Sequence, residues 1–328
     1  MQRRFALALL AASAALGLPR AHAQAPAPVR EISFGIISTE TSANLKTAWA
    51  PLLEDMQKAT GLKVNAFFAP DYAGVIEAMR FNKVQVGWFG NKSAIEAVDR
   101  AQGEVFAKVV GKDGTEGYYS ILVVHADSPL KSLDDVIKAR ANLQLGFGDP
   151  NSTSGTVIPG YFAFARNKVD PTRDFKRTVR ANHETNLLAV VNKQVDVATN
   201  NTENWFRFGQ VHADKLAQLR EIWRSPLIPS DPLVWRRDLD DATKAKISGF
   251  MLSYGRTPAE KDVLEKIAYS GFKASSNAQL NPIRQIELAR DRAKIENDAA
   301  MAADEKTRKL QDIDTRLADL GKSATTAK

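Results

Sequence analysis

Residues 32–37 read ISFGII, residues 62–68 read LKVNAFF and residues 84–89 read VQVGWF, and these three runs decide the fold. Each run is short, apolar and rich in β-branched and aromatic residues, which predicts a buried strand. Between the runs, residues 45–60 and 73–81 carry apolar side chains at helical spacing. Strands that alternate with helices predict a parallel sheet with helices on its faces, so the fold class is α/β.

The alternation of strands and helices continues along the chain. Further strands are predicted at 105–110, 119–124, 144–147, 175–179, 195–199, 219–225 and 233–235, and further helices at 94–101, 132–140, 157–167, 184–192, 202–210, 240–254 and 258–267. Three prolines between residues 226 and 232 interrupt the second block. This order predicts two lobes with two crossover linkers, near residue 125 and near residues 226–229. The first lobe comprises residues 24–125 and 226–290, and the second comprises residues 126–225.

The composition changes toward the C-terminus, and residues 291–328 are predicted to form a helical tail rich in Ala, Arg, Lys, Asp, Glu and Leu. Leu310, Ile313, Leu317 and Leu320 recur at spacings of three, four and three, which indicates a narrow apolar seam. The helix either folds back on its own lobe or pairs between the subunits of a homodimer. Two heptads are too few to decide between these alternatives.

Residues 1–23 have the three parts of a secretory signal peptide. Arg3 and Arg4 precede an apolar run at residues 5–18, and residues 21–23 read AHA, which predicts cleavage before Gln24. The alternative is an uncleaved anchor, but the apolar run is too short to span a bilayer. The chain has no Cys, so neither a lipid-modified cysteine nor a disulfide is expected. The sequence therefore predicts export from the cytoplasm.

The charge of the chain is mildly positive. The net charge is +7, and loss of the three arginines of residues 1–23, which contain no acid, leaves +4. Basic and acidic residues are interleaved, and no nucleic-acid-binding motif is present, so a nucleic-acid partner is not expected. The charge indicates a solvated surface with a slight bias toward anions.

Residues 148–155 read GDPNSTSG between a predicted strand and a predicted helix. Ser152, Thr153 and Ser154 lie where the first backbone N–H groups of a helix have no partner. An oxyanion there would meet N–H donors, hydroxyl donors and the positive end of the helix dipole. The alternative interpretation is an extended helix cap, for which one hydroxyl would suffice.

Five segments resemble periplasmic phosphonate-binding proteins of ABC transporters, the PhnD type. They are NAFFAPDYAG at 65–74, DPNSTSG at 149–155, HETN at 183–186, VATNNTEN at 197–204 and SPLIPSDP at 225–232. The resemblance extends from residue 32 to about residue 290. It implies a two-lobed periplasmic binding protein, type II-like, that captures a phosphonate for an inner-membrane ABC permease. After about residue 290 the chain resembles the family only in being helical and rich in charged residues.

The resemblance also implies a set of ligand-binding residues. Ser152, Thr153 and Ser154 would bind the phosphonate oxygens, Tyr72, Tyr118 and His183 would add hydrogen bonds, and Glu203 and Asp231 would face a substrate amine. Relatives can carry Tyr at the position of Phe89, so this chain lacks a hydroxyl there. Asn91 and Ser93 remain as weaker candidates for contact with the ligand.

The carboxyl groups of Glu203 and Asp231 restrict the kind of ligand. Two carboxylates near a bound dianion are unfavourable unless a cation lies between them. They therefore favour a zwitterion such as 2-aminoethylphosphonate, since charge-assisted hydrogen bonds contribute about 1.5–3 kcal/mol each. Without the resemblance, the favoured interpretation of Glu203 is an acid in the first turn of a helix, and that of Asp231 is an ordinary turn residue.

Catalytic functions find no support in the sequence. No Gly-x-Ser-x-Gly, Walker or His-Glu-x-x-His motif occurs, and the three histidines after residue 23 have no ligand spacing. We expect no enzyme activity, no cofactor and no metal. The alternatives are a binder of phosphite or another small oxyanion, which would not explain Glu203 and Asp231, and a periplasmic phosphomonoester hydrolase, which would need a nucleophile or metal cluster.

Overall fold

The computed structural model describes residues 30–325, and the side chains of residues 30–321. The strands are β1 (Glu31–Ile36), β2 (Lys63–Phe68), β3 (Val86–Trp88), β4 (Gly103–Gly111), β5 (Gly117–Tyr118), β6 (Ser120–His125), β7 (Gln144–Phe147), β8 (Arg177–Arg180), β9 (Val197–Asn201), β10 (Leu219–Arg224), β11 (Ile228–Pro229), β12 (Pro232–Arg236) and β13 (Tyr269–Ala274). The helices are α1 (Ser42–Thr60), α2 (Tyr72–Arg80), α3 (Asn91–Arg100), α4 (Leu133–Ala139), α5 (His183–Val191), α6 (Thr202–Val211), α7 (Ala213–Leu216), α8 (Asp241–Ser253), α9 (Pro258–Lys266), α10 (Asn281–Glu296) and α11 (Ala303–Thr325). The predicted signal peptide lies outside the described residues.

A six-stranded sheet in the order β13-β4-β12-β3-β1-β2 forms the centre of what we name the large lobe. β1 pairs in parallel with β2 and β3, as the β-α-β-α-β pattern predicts. β12 and β13 return from the far end of the chain and pair antiparallel with β4. The core holds the fully buried ring of Phe34 with Trp49 and Trp88 packed beside it, so aromatic burial stabilises this sheet.

A five-stranded sheet in the order β10-β6-β9-β7-β8 forms the centre of the small lobe. β7 pairs in parallel with β8 and β9, and β6 lies antiparallel between β9 and β10. Separate apolar clusters cover its two faces. The two sheets confirm the predicted two-lobed α/β fold, and the tail is helical as expected.

The chain crosses between the lobes along a two-stranded ribbon made by β5 and β11. The sequence assigned the strand at 119–124 to the first lobe, and this is wrong: β6 lies in the small-lobe sheet. The reason is that β5 ends at Tyr118 in the ribbon, so the crossing precedes β6 instead of following it. The other lobe boundaries stay a prediction.

The helix predicted at 157–167 is not regular. The chain forms wide π-helical turns at Thr153–Val157 and Gly160–Phe164, followed by a tight 3-10 turn at Ala165–Asn167. Pro159 lies between the two wide turns and has no N–H to donate, which disfavours a continuous α-helix. β13 was also absent from the prediction, because Gly271 and a register shift hide its alternation.

The tail forms two helices that lie against each other. α11 returns along α10, and Arg292 on α10 donates to Asp314 on α11 at 2.9 Å. α10 itself packs on α3 of the large lobe, where Lys92 pairs with Glu287 at 2.8 Å. In the described part of the chain no helix is both long enough and apolar enough to cross a membrane.

Candidate functional site

A cavity between the two lobes collects all eight residues that the sequence proposed for the site. These are Tyr72, Tyr118, Ser152, Thr153, Ser154, His183, Glu203 and Asp231. They come from both lobes and from the ribbon that joins them. Their common location is a structural fact, whereas their role in binding stays a prediction.

The hydroxyl run lies at the start of the first wide turn of the small lobe. Ser152 Oγ accepts from Gly155 N at 2.9 Å, and Ser154 Oγ accepts from Asn201 Nδ2 at 3.0 Å. Thr153 Oγ1 accepts from Lys92 N of the large lobe, also at 2.9 Å. A hydroxyl oxygen that accepts such a bond keeps its own proton to donate. The run therefore presents hydroxyl donors to the cavity, which suits an oxyanion.

The loop that carries these hydroxyls is closed by its two glycines. Gly148 N donates to Gly155 O at 3.0 Å, and Thr156 Oγ1 donates to Gly148 O and Asp149 O. A β-carbon on Gly148 would lie 2.6 Å from the α-carbon of Gly155. The close backbone approach thus requires glycine here and holds the three hydroxyls side by side.

His183 is a buried, uncharged neighbour of the hydroxyl run. Its Nε2 lies 3.4 Å from Ser152 Oγ and 3.3 Å from Asn201 Nδ2. Burial, with a smaller contribution from the charge of Arg207, lowers the pKa of His183 to about 3. The neutral imidazole can donate or accept a hydrogen bond but brings no positive charge to the anion.

Glu203 and Asp231 form an acidic region in the same cavity. Tyr118 OH donates to Asp231 Oδ1 at 2.9 Å. Burial raises the pKa of Glu203, and the nearby Asp231 raises it further; burial likewise raises the pKa of Asp231. Two carboxyl groups in one enclosed space therefore resist full ionisation unless a cation joins them.

The two tyrosines of the cavity are neutral hydrogen-bond donors. Burial is the largest cause that raises the pKa of Tyr72, followed by the charges of Asp149 and Asp231. Burial and the charge of Asp231 also raise the pKa of Tyr118. Both phenols consequently keep their protons at any physiological pH.

Sequence reasoning missed four polar residues of the cavity wall, Thr39, Trp88, Asn201 and Arg207. Arg207 lies one helical turn after Glu203 on α6, and this spacing is the signal that could have found it, since such residues share a helix face. Asn201 immediately precedes α6 and caps it while holding Ser154. The indole Nε1 of Trp88 is buried without a hydrogen-bond partner among the described residues.

The weaker candidates lie outside the cavity lining. Phe89 is fully buried in the core of the large lobe. Asn91 donates to Pro229 O at 2.7 Å, and Ser93 donates to Gly90 O at 3.0 Å. These bonds hold the backbone, so neither residue replaces the hydroxyl that Phe89 lacks.

Small-lobe side chains cap the N-termini of three large-lobe helices across the cavity. Glu184 Oε2 accepts from Thr41 N at 2.7 Å at the start of α1. Asp149 Oδ2 accepts from Tyr72 N at 3.3 Å at the start of α2. Thr153 Oγ1 accepts from Lys92 N at the start of α3. The lobes are therefore in contact, in a closed arrangement.

Among the residues that the structure describes, no group of three His, Cys, Asp or Glu side chains could hold a metal ion. The chemistry of the cavity is that of hydrogen-bond donors, two carboxyl groups and one guanidinium.

Comparison with known proteins gives consistent results. Residues 34–280 match the family model described as the periplasmic substrate-binding protein of a phosphonate ABC transporter. The chain is 53% identical over 291 residues to the phosphonates-binding periplasmic protein of Escherichia coli K12, covering 89% of this chain and 86% of that protein.

Two solved structures have a similar fold. One is a binding protein component of an ABC phosphonate transporter from Pseudomonas aeruginosa, with a TM-score of 0.89 and 51% identity, covering 91% of this chain and 99% of that one. The other is PhnD1 from Prochlorococcus marinus in complex with methylphosphonate, with a TM-score of 0.70 over 78% of this chain and 97% of that one. Its 19% identity supports the fold alone.

Proposed function

The chain belongs to the family of periplasmic substrate-binding proteins of phosphonate ABC transporters, and on this basis we propose that it captures 2-aminoethylphosphonate between its lobes. It is the substrate-binding component of an ABC phosphonate importer, and its homologues are binding proteins, not enzymes. The observation that carries the finer proposal is the composition of the cavity, whose lining holds hydroxyl donors together with two carboxyl groups.

The phosphonate end of the ligand is assigned to the hydroxyl run. Ser152, Thr153 and Ser154 each accept a bond from an N–H group, so their protons are available for phosphonate oxygens. Tyr72 and His183 line the same cavity and supply further donors. Hydrogen bonds from neutral donors to a charged oxyanion are stronger than bonds between neutral groups.

The amine end of the ligand is assigned to Glu203 and Asp231, with Tyr118 bonded to Asp231. An ammonium group between the two carboxyl groups would favour their ionised forms and offset the cost of burying them. A plain oxyanion such as phosphite would leave both carboxyl groups without a cation. The cavity therefore supports an aminophosphonate over phosphite.

The proposed mechanism is capture by closure. The ligand stabilises the closed arrangement because it binds groups of both lobes at once, and the closed form then docks on the inner-membrane permease. The family implies a periplasmic location, and the sequence of residues 1–23 supports export by a cleavable signal peptide. The predicted boundaries of the lobes, adjusted for β6, belong to the same proposal.

We also propose that the protein forms a homodimer through α11. Within its own chain, α10 buries Ile313 of the apolar seam, whereas Leu310 and Leu317 keep part of their surface accessible. A second copy of α11 could cover this surface.

A calorimetric comparison of ligands tests the proposed function. Purified protein without residues 1–23 is titrated with 2-aminoethylphosphonate, ethylphosphonate, phosphate and phosphite. We expect 2-aminoethylphosphonate to bind at least about tenfold more tightly than ethylphosphonate, because charge-assisted bonds contribute about 1.5–3 kcal/mol. The Glu203→Gln variant should lose affinity for the amino ligand more than for ethylphosphonate. Equal affinity of the wild type for both ligands would contradict the proposal.

A further inference from the structure

Arg207 and Glu40 form a buried ion pair that joins the two lobes. Arg207 lies on α6 of the small lobe, and Glu40 lies in the loop between β1 and α1 of the large lobe. Arg207 Nε donates to Glu40 Oε1 at 2.6 Å, and the two side chains are only 7% and 8% exposed. Asn204 Nδ2 donates to the same oxygen at 3.2 Å.

The burial of this pair links it to closure. An ion pair loses its hydration when it is buried, and either charge alone in the same place is far less favourable than both together. Since the partners belong to different lobes, separation of the lobes breaks the pair and returns both charges to water. The pair is therefore complete only in the closed form.

Arg207 also faces the ligand cavity. Its guanidinium carbon lies 6.0 Å from the centre of the Trp88 ring in the cavity wall. The charge of Arg207 lowers the pKa of both Glu203 and Asp231, against the larger effect of burial. One guanidinium thus opposes the neutralisation of both carboxyl groups.

Four other titratable groups near the two acids bring no charge of their own, whereas the charge of Asp113 adds to the rise in the pKa of Glu203. Burial raises the pKa of Tyr72, Tyr118 and Tyr269 and lowers the pKa of His183. All four side chains are therefore neutral at physiological pH. Of the described residues that line the cavity, Arg207 is the one that carries a permanent positive charge.

We propose that Arg207, held by Glu40 across the cleft, is a positioning residue that preserves negative charge on Glu203 and Asp231 in the closed form and thereby determines the preference for an amino ligand. This inference rests on the proposed function. Arg207 acts through the two acids and need not touch the ammonium group. Glu40 has a separate task, which is to supply the counter-charge that allows Arg207 to be buried.

The two tasks can be separated by neutral variants of similar shape. Arg207→Gln, Glu40→Gln and the double variant are compared with the wild type in titrations with 2-aminoethylphosphonate and ethylphosphonate. The ratio of the two dissociation constants reports the amine preference, and stopped-flow dissociation rates report the lifetime of the closed form. Thermal melting of the unliganded variants verifies that each one folds.

Each variant has a distinct expected result. Arg207→Gln should lower the amine preference at least about tenfold, because the binding of the ammonium group must then also ionise the two acids. Glu40→Gln should weaken the binding of both ligands by the same factor of at least about tenfold, mainly through faster dissociation. The reason is that this substitution leaves Arg207 buried without a partner. The double variant should recover affinity for ethylphosphonate relative to Glu40→Gln while keeping the low amine preference.

A pH series and a matched control exclude a general packing effect. In Arg207→Gln the remaining amine preference should appear at a higher pH than in the wild type. Glu221 and Arg224 form an exposed pair of the same residue types on β10, with 29% and 50% exposure, so Glu221→Gln and Arg224→Gln should leave both dissociation constants unchanged. If Arg207→Gln does not fold, Arg207→Lys keeps the charge and should keep most of the preference.

Failure of this inference differs from failure of the proposed function. A wild type without amine preference overturns the proposed function and this inference with it. If the wild type prefers the amino ligand and Arg207→Gln shows the same preference as the wild type at every pH, this inference alone is overturned.

Discussion

Thr153 has a hydroxyl that serves both lobes at once. Its oxygen accepts from Lys92 N at the start of α3, and its proton remains available to a ligand in the cavity. A β-carbon on Gly90 would lie 3.2 Å from this oxygen, so the absence of a side chain at Gly90 keeps the approach open. A residue assigned from sequence to ligand binding thus also contributes directly to the contact between lobes.

His183 provides a pH test at the residue scale. Its pKa falls from an ordinary value near 6.5 to about 3 because the ring is buried. Between these values the unfolded chain binds more protons than the folded chain, so stability rises with pH in this window and is lost on acidification. We expect the free energy of unfolding of the ligand-free protein to fall by up to about 1.4 kcal/mol per pH unit from this group.

The measurement compares wild type with His183→Gln by chemical denaturation between pH 7 and pH 4.5 without ligand. Subtracting the two profiles removes the titration of Glu203 and Asp231, whose raised pKa values act in the opposite direction. The variant should lose less stability on acidification. Parallel profiles would show that His183 is not held neutral.

The loop at residues 148–155 is the element on which the anion site depends. Gly148→Ala would place a β-carbon within 2.6–2.8 Å of backbone atoms of Gly155, which cannot move away as a flexible side chain could. We expect the loop to open, the affinity for phosphonate to fall at least about tenfold, and the free energy of unfolding to drop by about 1–3 kcal/mol. Calorimetry and urea denaturation measure the two effects.

Gly249→Ala is the matched control for this prediction. Gly249 lies inside α8, and a β-carbon there would meet no atom within 4 Å. Alanine in a helix interior is more favourable than glycine by about 0.5–1 kcal/mol, so this variant should be slightly more stable and bind normally. Normal binding by Gly148→Ala would mean that the close approach of the two glycines is not needed.

The elements differ in how well the sequence predicts them. β7 is predicted residue for residue because four residues between a helix and a glycine-rich loop leave little choice. The second wide turn, at Gly160–Phe164, was predicted as part of an ordinary helix, since hydrophobic spacing does not distinguish turns of slightly different width. The hydroxyl run was recognisable because its residues are adjacent in sequence. The pairing of Arg207 with Glu40 was not recognisable, because the two residues are distant in the chain and meet only through closure.

At the scale of the whole molecule, closure uses the ends of helices. The first turns of α1, α2 and α3 lie in the large lobe, and each receives an oxygen from Glu184, Asp149 or Thr153 of the small lobe. Helix N-termini have unpaired N–H groups and a partial positive charge, so these contacts satisfy donors that water would otherwise serve. Closure can therefore be stabilised without a large apolar interface, which leaves the lobes free to separate again.

The tail provides the last test of the whole molecule. α10 contacts both the large lobe and the wide turns of the small lobe, whereas α11 packs on α10. Removal of residues 298–328 should therefore leave ligand affinity unchanged in calorimetry. Because the proposed dimer uses Leu310 and Leu317 of α11, light scattering should give the mass of a dimer for the longer protein and of a monomer for the truncated one. A monomer mass for the longer protein would mean that α11 only covers α10 of its own chain, and a loss of affinity on truncation would mean that the tail supports the cleft.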